Sequence, residues 1–285
     1  MKPIRSSAAD GARFRNSRFG IQHSTAFTLL ELLVVITILG ILAALTVPAL
    51  KNLGKSNVQV SASRQLLDDV GYARQLAISQ HTTVYMVFVP SYFWNYLPVD
   101  QQTLPATINL LDKQFTGYGF LTMRSVGDQP GQGVARYIGD WKSLPDGAFI
   151  ATNKFYNPFY YIYDYSAQVT YTINPFNYSA SFPFPTATNF TFAVQQPLLP
   201  YIAFNYLGQL IQRTISGQEI MAGQDEYIPL AQGTVGYVVD AQKNLQLAPP
   251  DPAENPPGNS TNSMFTLVHI DRLTGRATLV HQKVQ

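Results

Sequence analysis

The sequence predicts an α+β fold, in which one long N-terminal helix packs on a β-rich domain built of antiparallel sheet. Three observations predict it. An apolar run occupies residues 27–50, and a polar stretch at 51–81 carries apolar residues at three- and four-residue steps. From residue 82 onward, runs of β-branched and aromatic residues alternate with turn residues. The 285 residues are enough to bury a sizeable core.

The composition favours an exported domain and gives no support for nucleic-acid binding. Charged residues make up 13% of the chain, about half the usual share, so uncharged polar groups and many of the 17 tyrosines must cover the surface. The net charge is +2, and the basic residues are concentrated before Phe27. The chain contains no cysteine, which excludes disulfide bonds and thiolate metal sites.

Residues 1–26 predict a cytoplasmic leader, because they are basic and contain no apolar run long enough for a helix. The following run, 27–50, has a single charge, Glu31. As a helix it would span about 36 Å, which is enough to cross a bilayer. Basic residues on its N-terminal side keep the leader inside and send the rest of the chain outward. The sequence therefore predicts a single-pass anchor with an exported C-terminal domain.

Two other kinds of N-terminal segment compete with this interpretation. A secretory signal peptide has an apolar region of about 7–15 residues, and the run at 27–50 is longer. An ordinary signal anchor fits the length, but it gives no reason for a carboxylate in the span, where a charge costs roughly 2.5–3.5 kcal/mol if placed centrally. We therefore expect Glu31 to have a partner.

The segment AFTLLELL at 26–33 resembles the processing site of type IV prepilins and type II secretion pseudopilins. The resemblance implies that a prepilin peptidase cuts between Ala26 and Phe27 and methylates the new amine of Phe27. It implies that Glu31, then the fifth mature residue, pairs with the N-terminal amine of a neighbouring subunit, and that Pro48 bends the helix during assembly. The family usually has Gly before the cut; Ala is the smallest alternative, so we expect processing to survive at Ala26.

The stretch at 51–81 predicts an amphipathic continuation of the helix that packs on the domain. Its apolar stripe consists of Val58, Ala62, Leu66, Val70, Ala73 and Ala77. The charged residues expected on or near its solvent side are Arg64, Asp68, Asp69 and Arg74. The run TTVYMVFV at 82–89 then predicts the first strand of the β-rich domain, 82–285.

The helix end and the first strand are similar to those of H-type minor pseudopilins and their counterparts in type IV pili. PYIAFNYLGQLI and FTLVHIDRLTGRATLV resemble the paired strands with which such proteins finish their sheet, and Gly275 is free to take a positive φ in the second turn. Residues from about 92 to 200 predict a loop-rich insert with short strands. Residues 249–262 predict a mobile, Pro-rich loop.

No catalytic, cofactor or metal motif is found in the sequence. The four histidines show no metal-ligand spacing, and there is no HExxH, Walker or G-x-S-x-G pattern. Asp251, Glu254 and Asn255 could supply oxygen ligands to Ca²⁺, but their spacing is not that of an EF-hand. The sequence predicts a protein that is not an enzyme and has no cofactor.

The resulting hypothesis is a prepilin-like subunit of a type IV pilus or type II secretion pseudopilus. A minor subunit is favoured, because a bulky domain with irregular inserts would crowd a uniform lattice. The expected partners are the prepilin peptidase, other pilin or pseudopilin subunits and the bacterial inner membrane, with the C-terminal domain periplasmic or extracellular. The alternative is a membrane-anchored extracellular binding module or enzyme, directed at glycans, whose exposed aromatic residues would carry a separable activity.

Overall fold

A computed structural model of the chain describes residues 28–124, 127–128, 133–156, 158–186, 197–214, 216–262 and 265–281, with backbone alone for 45–57 and 281. The chain divides into two compact units, Met1–Leu50 and Lys51–Gln285. The predicted leader, 1–26, lies outside the described residues.

The described helices and strands follow one another in the order α1, β1, α2, α3 and then β2 to β14. The helices are α1 (Leu29–Gln80), α2 (Val99–Gln102) and α3 (Pro105–Ile108). The strands are β1 (Val84–Phe88), β2 (Gly117–Thr122), β3 (Arg136–Tyr137), β4 (Lys142–Ser143), β5 (Ala148–Ile150), β6 (Tyr160–Asp164), β7 (Val169–Ile173), β8 (Tyr201–Phe204), β9 (Leu210–Arg213), β10 (Glu219–Met221), β11 (Glu226–Gly236), β12 (Asp251–Glu254), β13 (Thr266–Ile270) and β14 (Ala277–His281).

Among the described residues, the strands form two sheets and a separate hairpin, and every named pairing is antiparallel. The seven-stranded sheet has the order β10-β9-β8-β1-β2-β3, with β4 also paired to β2. The five-stranded sheet has the order β12-β11-β13-β14, with β5 also paired to β11. Strands β6 and β7 pair with each other. The predicted α+β class with antiparallel sheets and an N-terminal helix is confirmed.

The sequence also predicted that the N-terminal helix spans a membrane, and the structure does not show this. In the part of the chain that the structure describes, no helix has both the length and the hydropathy needed to cross a bilayer.

The C-terminal half of α1 packs on the sheets through the predicted apolar stripe. Ala62, Leu66, Val70, Ala73 and Ala77 are fully buried, and the partly buried Val58 packs against the same cluster. This core also contains side chains of β1, β8, β11 and β13, so it holds both sheets against the helix. The periodicity was therefore sufficient to identify the buried face.

Asp69 was predicted on the solvent side of α1, and that prediction was wrong. The residue is buried, since its carboxylate accepts a bond from the Tyr118 hydroxyl at 2.6 Å and an ion pair from Lys142. Both partners come from strands that pack on the helix. Asp69 lies three residues after Leu66 and four before Ala73, so helical spacing places it on the same face as the stripe.

The predicted first strand is β1, and both of its faces are buried. Met86 and Phe88 lie in the core that contains the α1 stripe, whereas Tyr85 and Val87 lie in a second core on the opposite face. A strand that is buried on both faces has apolar residues at successive positions, without alternating polar ones. This explains the apolar run at 82–89.

The segment at 92–200, predicted to be a loop-rich insert with short strands, contains the short strands β2 to β7, and two of its features were not predicted. It contains β2, which pairs with β1 in the centre of the sheet. It also supplies much of the second core, so it is a packed layer over the sheet. Its buried side chains there include Phe93, Trp94, Leu97, Leu110, Leu111, Phe182, Phe184 and Leu199.

The two predicted C-terminal strand pairs are hairpins, but they do not finish one sheet. β8 and β9 belong to the seven-stranded sheet, and β13 and β14 belong to the five-stranded sheet. Their turns meet: Gly275 has a φ of +61°, and a Cβ there would lie 2.0 Å from the carbonyl oxygen of Gly208. Arg74 of α1 donates to the carbonyl of Thr274 at 2.6 Å. The turns therefore join both sheets to the helix.

The prediction of a loop at 249–262 was wrong for its first part. Residues Asp251–Glu254 form β12, which pairs with the end of β11. Asn259 is buried, and its side chain exchanges bonds of 2.8 and 2.7 Å with the backbone of Gln232. A segment that contains a proline can therefore be an edge strand, where a missing donor does not interrupt a ladder.

We expect Gly275→Ala to destabilise the β-rich domain by about 3 kcal/mol, because the methyl group would clash with Gly208 as well as oppose a positive φ. Gly139→Ala is the matched control, because its φ is +77° and the described chain places no heavy atom within 4 Å of its Cβ. The control should lose about 1 kcal/mol from backbone strain alone. Thermal unfolding by circular dichroism measures both, and equal losses would contradict the packing role of the two turns.

Candidate functional site

The first turn of α1 is held by a capping box between Thr28 and Glu31. The Thr28 hydroxyl oxygen accepts the Glu31 backbone N–H at 3.2 Å, and Glu31 Oε2 accepts the Thr28 backbone N–H at 3.3 Å and its hydroxyl at 3.4 Å. This arrangement satisfies helix N–H groups that have no intrahelical partner. The carboxylate also lies at the positive end of the helix dipole. The partner expected for Glu31 is therefore found, in part, within its own helix.

The helix from Leu29 to Ala44 exposes apolar side chains on every side. Every residue from Thr28 to Ala44 is exposed, and the exposed fractions of the large apolar side chains run from 44% at Val35 to 83% at Leu29. Thr37 donates its hydroxyl to the carbonyl of Val34 at 2.8 Å, so this polar group is satisfied within the helix. A helix that is apolar all round is suited to burial in lipid or in a helical bundle.

The structure describes only some of the predicted site residues. Glu31 lies in the first turn of α1, three residues after its cap, Thr28. The backbone remains helical through Pro48, where the side chain is not described. Ala26 and Phe27 lie outside the described residues, so the cleavage site remains a prediction from the sequence.

The comparison with protein families matches residues 22–47 to the prokaryotic N-terminal methylation motif. This motif is the hallmark of type IV prepilins and pseudopilins, which are structural subunits rather than enzymes. The chain therefore carries the N-terminal signature of that family, and the resemblance of residues 26–33 is confirmed. Searches of curated proteins and of solved structures return no match.

An ion pair of the buried Lys154 in the β-rich domain was not predicted from the sequence. Lys154 is fully buried, and its amine donates to the Glu226 carboxylate and to the carbonyl of Asn174 at 2.5 Å. The amine also lies 4.8 Å from the ring centroid of Phe176. Burial lowers the pKa of Lys154 and raises the pKa of Glu226, while their mutual attraction opposes both shifts. No local pattern in the sequence signals such a pair.

A second cluster joins His269, Asp225 and Thr278. His269 Nε2 lies 2.9 Å from Asp225 Oδ2, and His269 Nδ1 lies 3.3 Å from the Thr278 hydroxyl. Asp225 also accepts the backbone N–H of Arg272 at 3.0 Å, and Tyr227 stacks on the imidazole with a centroid distance of 4.7 Å. These bonds tie the start of β11 to the β13–β14 hairpin, so the cluster has a structural use.

Of the three oxygen-bearing residues considered for Ca²⁺, Glu254 is already engaged in hydrogen bonds. Glu254 accepts the backbone N–H of Ser260 at 3.2 Å and its hydroxyl at 2.5 Å, so both carboxylate oxygens are used. Asp251 lies at the start of the edge strand β12. Among the described residues, no three His, Cys, Asp or Glu side chains are close enough to hold a metal ion.

Proposed function

We propose that this chain is a prepilin-like subunit whose N-terminal helix anchors it in the bacterial inner membrane and later assembles with other pilin or pseudopilin subunits. The observation that carries the proposal is the N-terminal methylation motif at 22–47, which coincides with the start of a helix that is apolar on every side. Prepilin peptidase would cut between Ala26 and Phe27 and methylate the new amine.

The capping box supports a double use of Glu31 in this function. Within the described chain, both bonds from Thr28 go to Oε2, so Oε1 remains able to accept a hydrogen bond from the charged amine of a neighbouring subunit. The dipole of α1 and this amine would then stabilise the same carboxylate. An unpaired charge in an apolar environment is costly, so neighbouring helices are favoured in the one register that pairs it. Such a pair therefore fixes the axial position of one helix against the next.

The exported domain supports a minor rather than a major subunit. Its seven-stranded sheet carries an additional packed layer from residues 92–200, so each copy would occupy more space around a filament than a single sheet does. A bulky subunit is easier to accommodate at a filament end than at every lattice position. A type II secretion pseudopilus, with an H-type minor subunit, is the assembly that we favour.

Intact mass and N-terminal peptide mapping test the proposal directly. The full chain is expressed in a host with a prepilin peptidase, and we expect the purified protein to lack residues 1–26 and to begin at N-methylated Phe27. Ala26→Gly is the matched variant, and it should be processed at least as completely. An intact Met1, or an unmethylated start elsewhere, would overturn the proposal.

A further inference from the structure

The hairpin β6–β7 presents a row of exposed aromatic rings on its outer face. Tyr161 and Tyr163 lie in β6, with Phe159 just before it and Tyr165 just after it, and the exposed fractions of Phe159, Tyr161, Tyr163 and Tyr165 are 51%, 62%, 38% and 67%. Residues two apart in a strand point to the same side, so Tyr161 and Tyr163 share the outer face, and Phe159 and Tyr165 extend the row through ring contacts with them. Contiguous exposed surface of this kind is uncommon in soluble domains and marks binding sites.

The inner face of the same hairpin is fixed to the domain. Ile162 and Ile173 are fully buried against Phe265 and Leu267 of the five-stranded sheet. Tyr171, on the same side, packs on Phe265 with a centroid distance of 5.9 Å. The outer rings therefore stand on a rigid support and lose little conformational freedom when a ligand binds.

The rings are also held by contacts with one another. Phe159 and Tyr161 form an edge-to-face pair with centroids 5.6 Å apart, and Tyr163 and Tyr165 form another at 4.8 Å. The Tyr163 hydroxyl donates to the side chain of Gln168 at 2.9 Å. The register of the hairpin places threonines opposite two of the rings, Thr172 by Tyr161 and Thr170 by Tyr163. The outer face thus combines fixed rings with hydroxyl groups.

Charge decides which ligand this face suits. Residues 158–186 contain one charged side chain, Asp164, which is buried and accepts the backbone N–H groups of Ser166 and Ala167 at 2.8 and 3.0 Å. The hairpin therefore supplies no cation for phosphates, as nucleic acids and anionic lipids require. The outer face also lacks the arginine and methionine side chains that are enriched in protein interfaces.

We propose that the outer face of the β6–β7 hairpin binds an extended, uncharged polysaccharide. The C–H faces of successive sugar rings stack on the aromatic rings, and the sugar hydroxyls exchange hydrogen bonds with tyrosine and threonine hydroxyls. The polysaccharide and the outer face are both uncharged and both carry many hydroxyl groups. An extended polysaccharide is also long enough to contact all four rings of the row. This binding is additional to the assembly role of the N-terminal helix and does not depend on it.

Calorimetric titration of the full-length protein with uncharged β-linked hexasaccharides of glucose and of N-acetylglucosamine tests the proposal. The protein is kept in a detergent without a sugar head group, because alkyl glycosides would compete for the rings. We expect binding of at least one hexasaccharide, and an affinity about tenfold lower for Tyr161→Ala/Tyr165→Ala. Tyr206→Ala, which removes an exposed ring from the β8–β9 turn, should bind as the unchanged protein does.

Three results would overturn the proposal. The first is the absence of measurable binding to either hexasaccharide at millimolar concentration, and the second is unchanged affinity in the double variant. The third is ring-dependent binding to single-stranded DNA or to phosphatidylglycerol vesicles without glycan binding, which would assign the face to another ligand class. Single Tyr161→Ala and Tyr165→Ala variants, each expected to weaken binding several-fold, decide the matter if the double variant does not fold.

Discussion

Glu31→Gln is expected to leave leader removal intact while lowering incorporation of the chain into a filament about tenfold or more. Glutamine at this position can still accept the Thr28 backbone N–H, because capping boxes use either Glu or Gln, so the first turn of α1 should persist. The neutral amide cannot pair with a charged N-terminal amine. The variant therefore removes the charge and retains the cap.

Thr28→Val is the complementary variant, since it retains the carboxylate and removes the hydroxyl that accepts the Glu31 N–H. It should loosen the first turn but leave incorporation within about twofold, provided that peptide mapping shows normal cleavage. Incorporation is measured by immunoblotting sheared filaments against the processed membrane pool in a host with the full assembly machinery. Normal incorporation of Glu31→Gln together with loss in Thr28→Val would show that Glu31 acts only as a helix cap.

The parts of the fold that the sequence predicted depend on local patterns. The α1 stripe follows from 3.6-residue periodicity, and the hairpin at Gly275 follows from a turn residue between two β-rich runs. The capping box is local as well: Thr28 and Glu31 stand at the spacing of that motif, so the signal was present in the segment that resembles a prepilin. The capping box was therefore within reach of the sequence, whereas the cut between Ala26 and Phe27 and the pairing of Glu31 with a neighbouring amine stay predictions.

The parts that it did not predict depend on pairings between distant residues. Strand β2 enters the sheet beside β1 because both of its faces are buried by segments far along the chain, and its sequence, GYGFLT, contains two glycines that argue against a strand. β12 contains a proline and is a strand only because the end of β11 offers it an edge. The outer face of β6–β7 was visible as alternating aromatic residues, but which face would be covered was not.

Lys154→Met is expected to lower the free energy of unfolding of the β-rich domain by about 3–5 kcal/mol. The change leaves the Glu226 carboxylate without its counter-ion and the Asn174 carbonyl without its donor. The position of Lys154 is fully shielded from solvent, so water cannot replace the lost amine there. For a domain of this size the melting temperature should fall by about 10 °C. Lys113→Met, which breaks a partly exposed pair with Asp112, is the control and should change stability by less than about 1 kcal/mol.

The double variant Lys154→Met/Glu226→Leu should recover most of this loss, because the unpaired charge is removed together with its partner. pH separates this explanation from simple loss of packing. Burial raises the pKa of Glu226, so in Lys154→Met the carboxyl gains a proton as the pH falls toward the ordinary pKa of a carboxyl group. The loss of free energy of unfolding should therefore shrink over this range. A deficit that is constant over this range, with no recovery in the double variant, would mean that the lysine acts through its packed methylene chain rather than its charge.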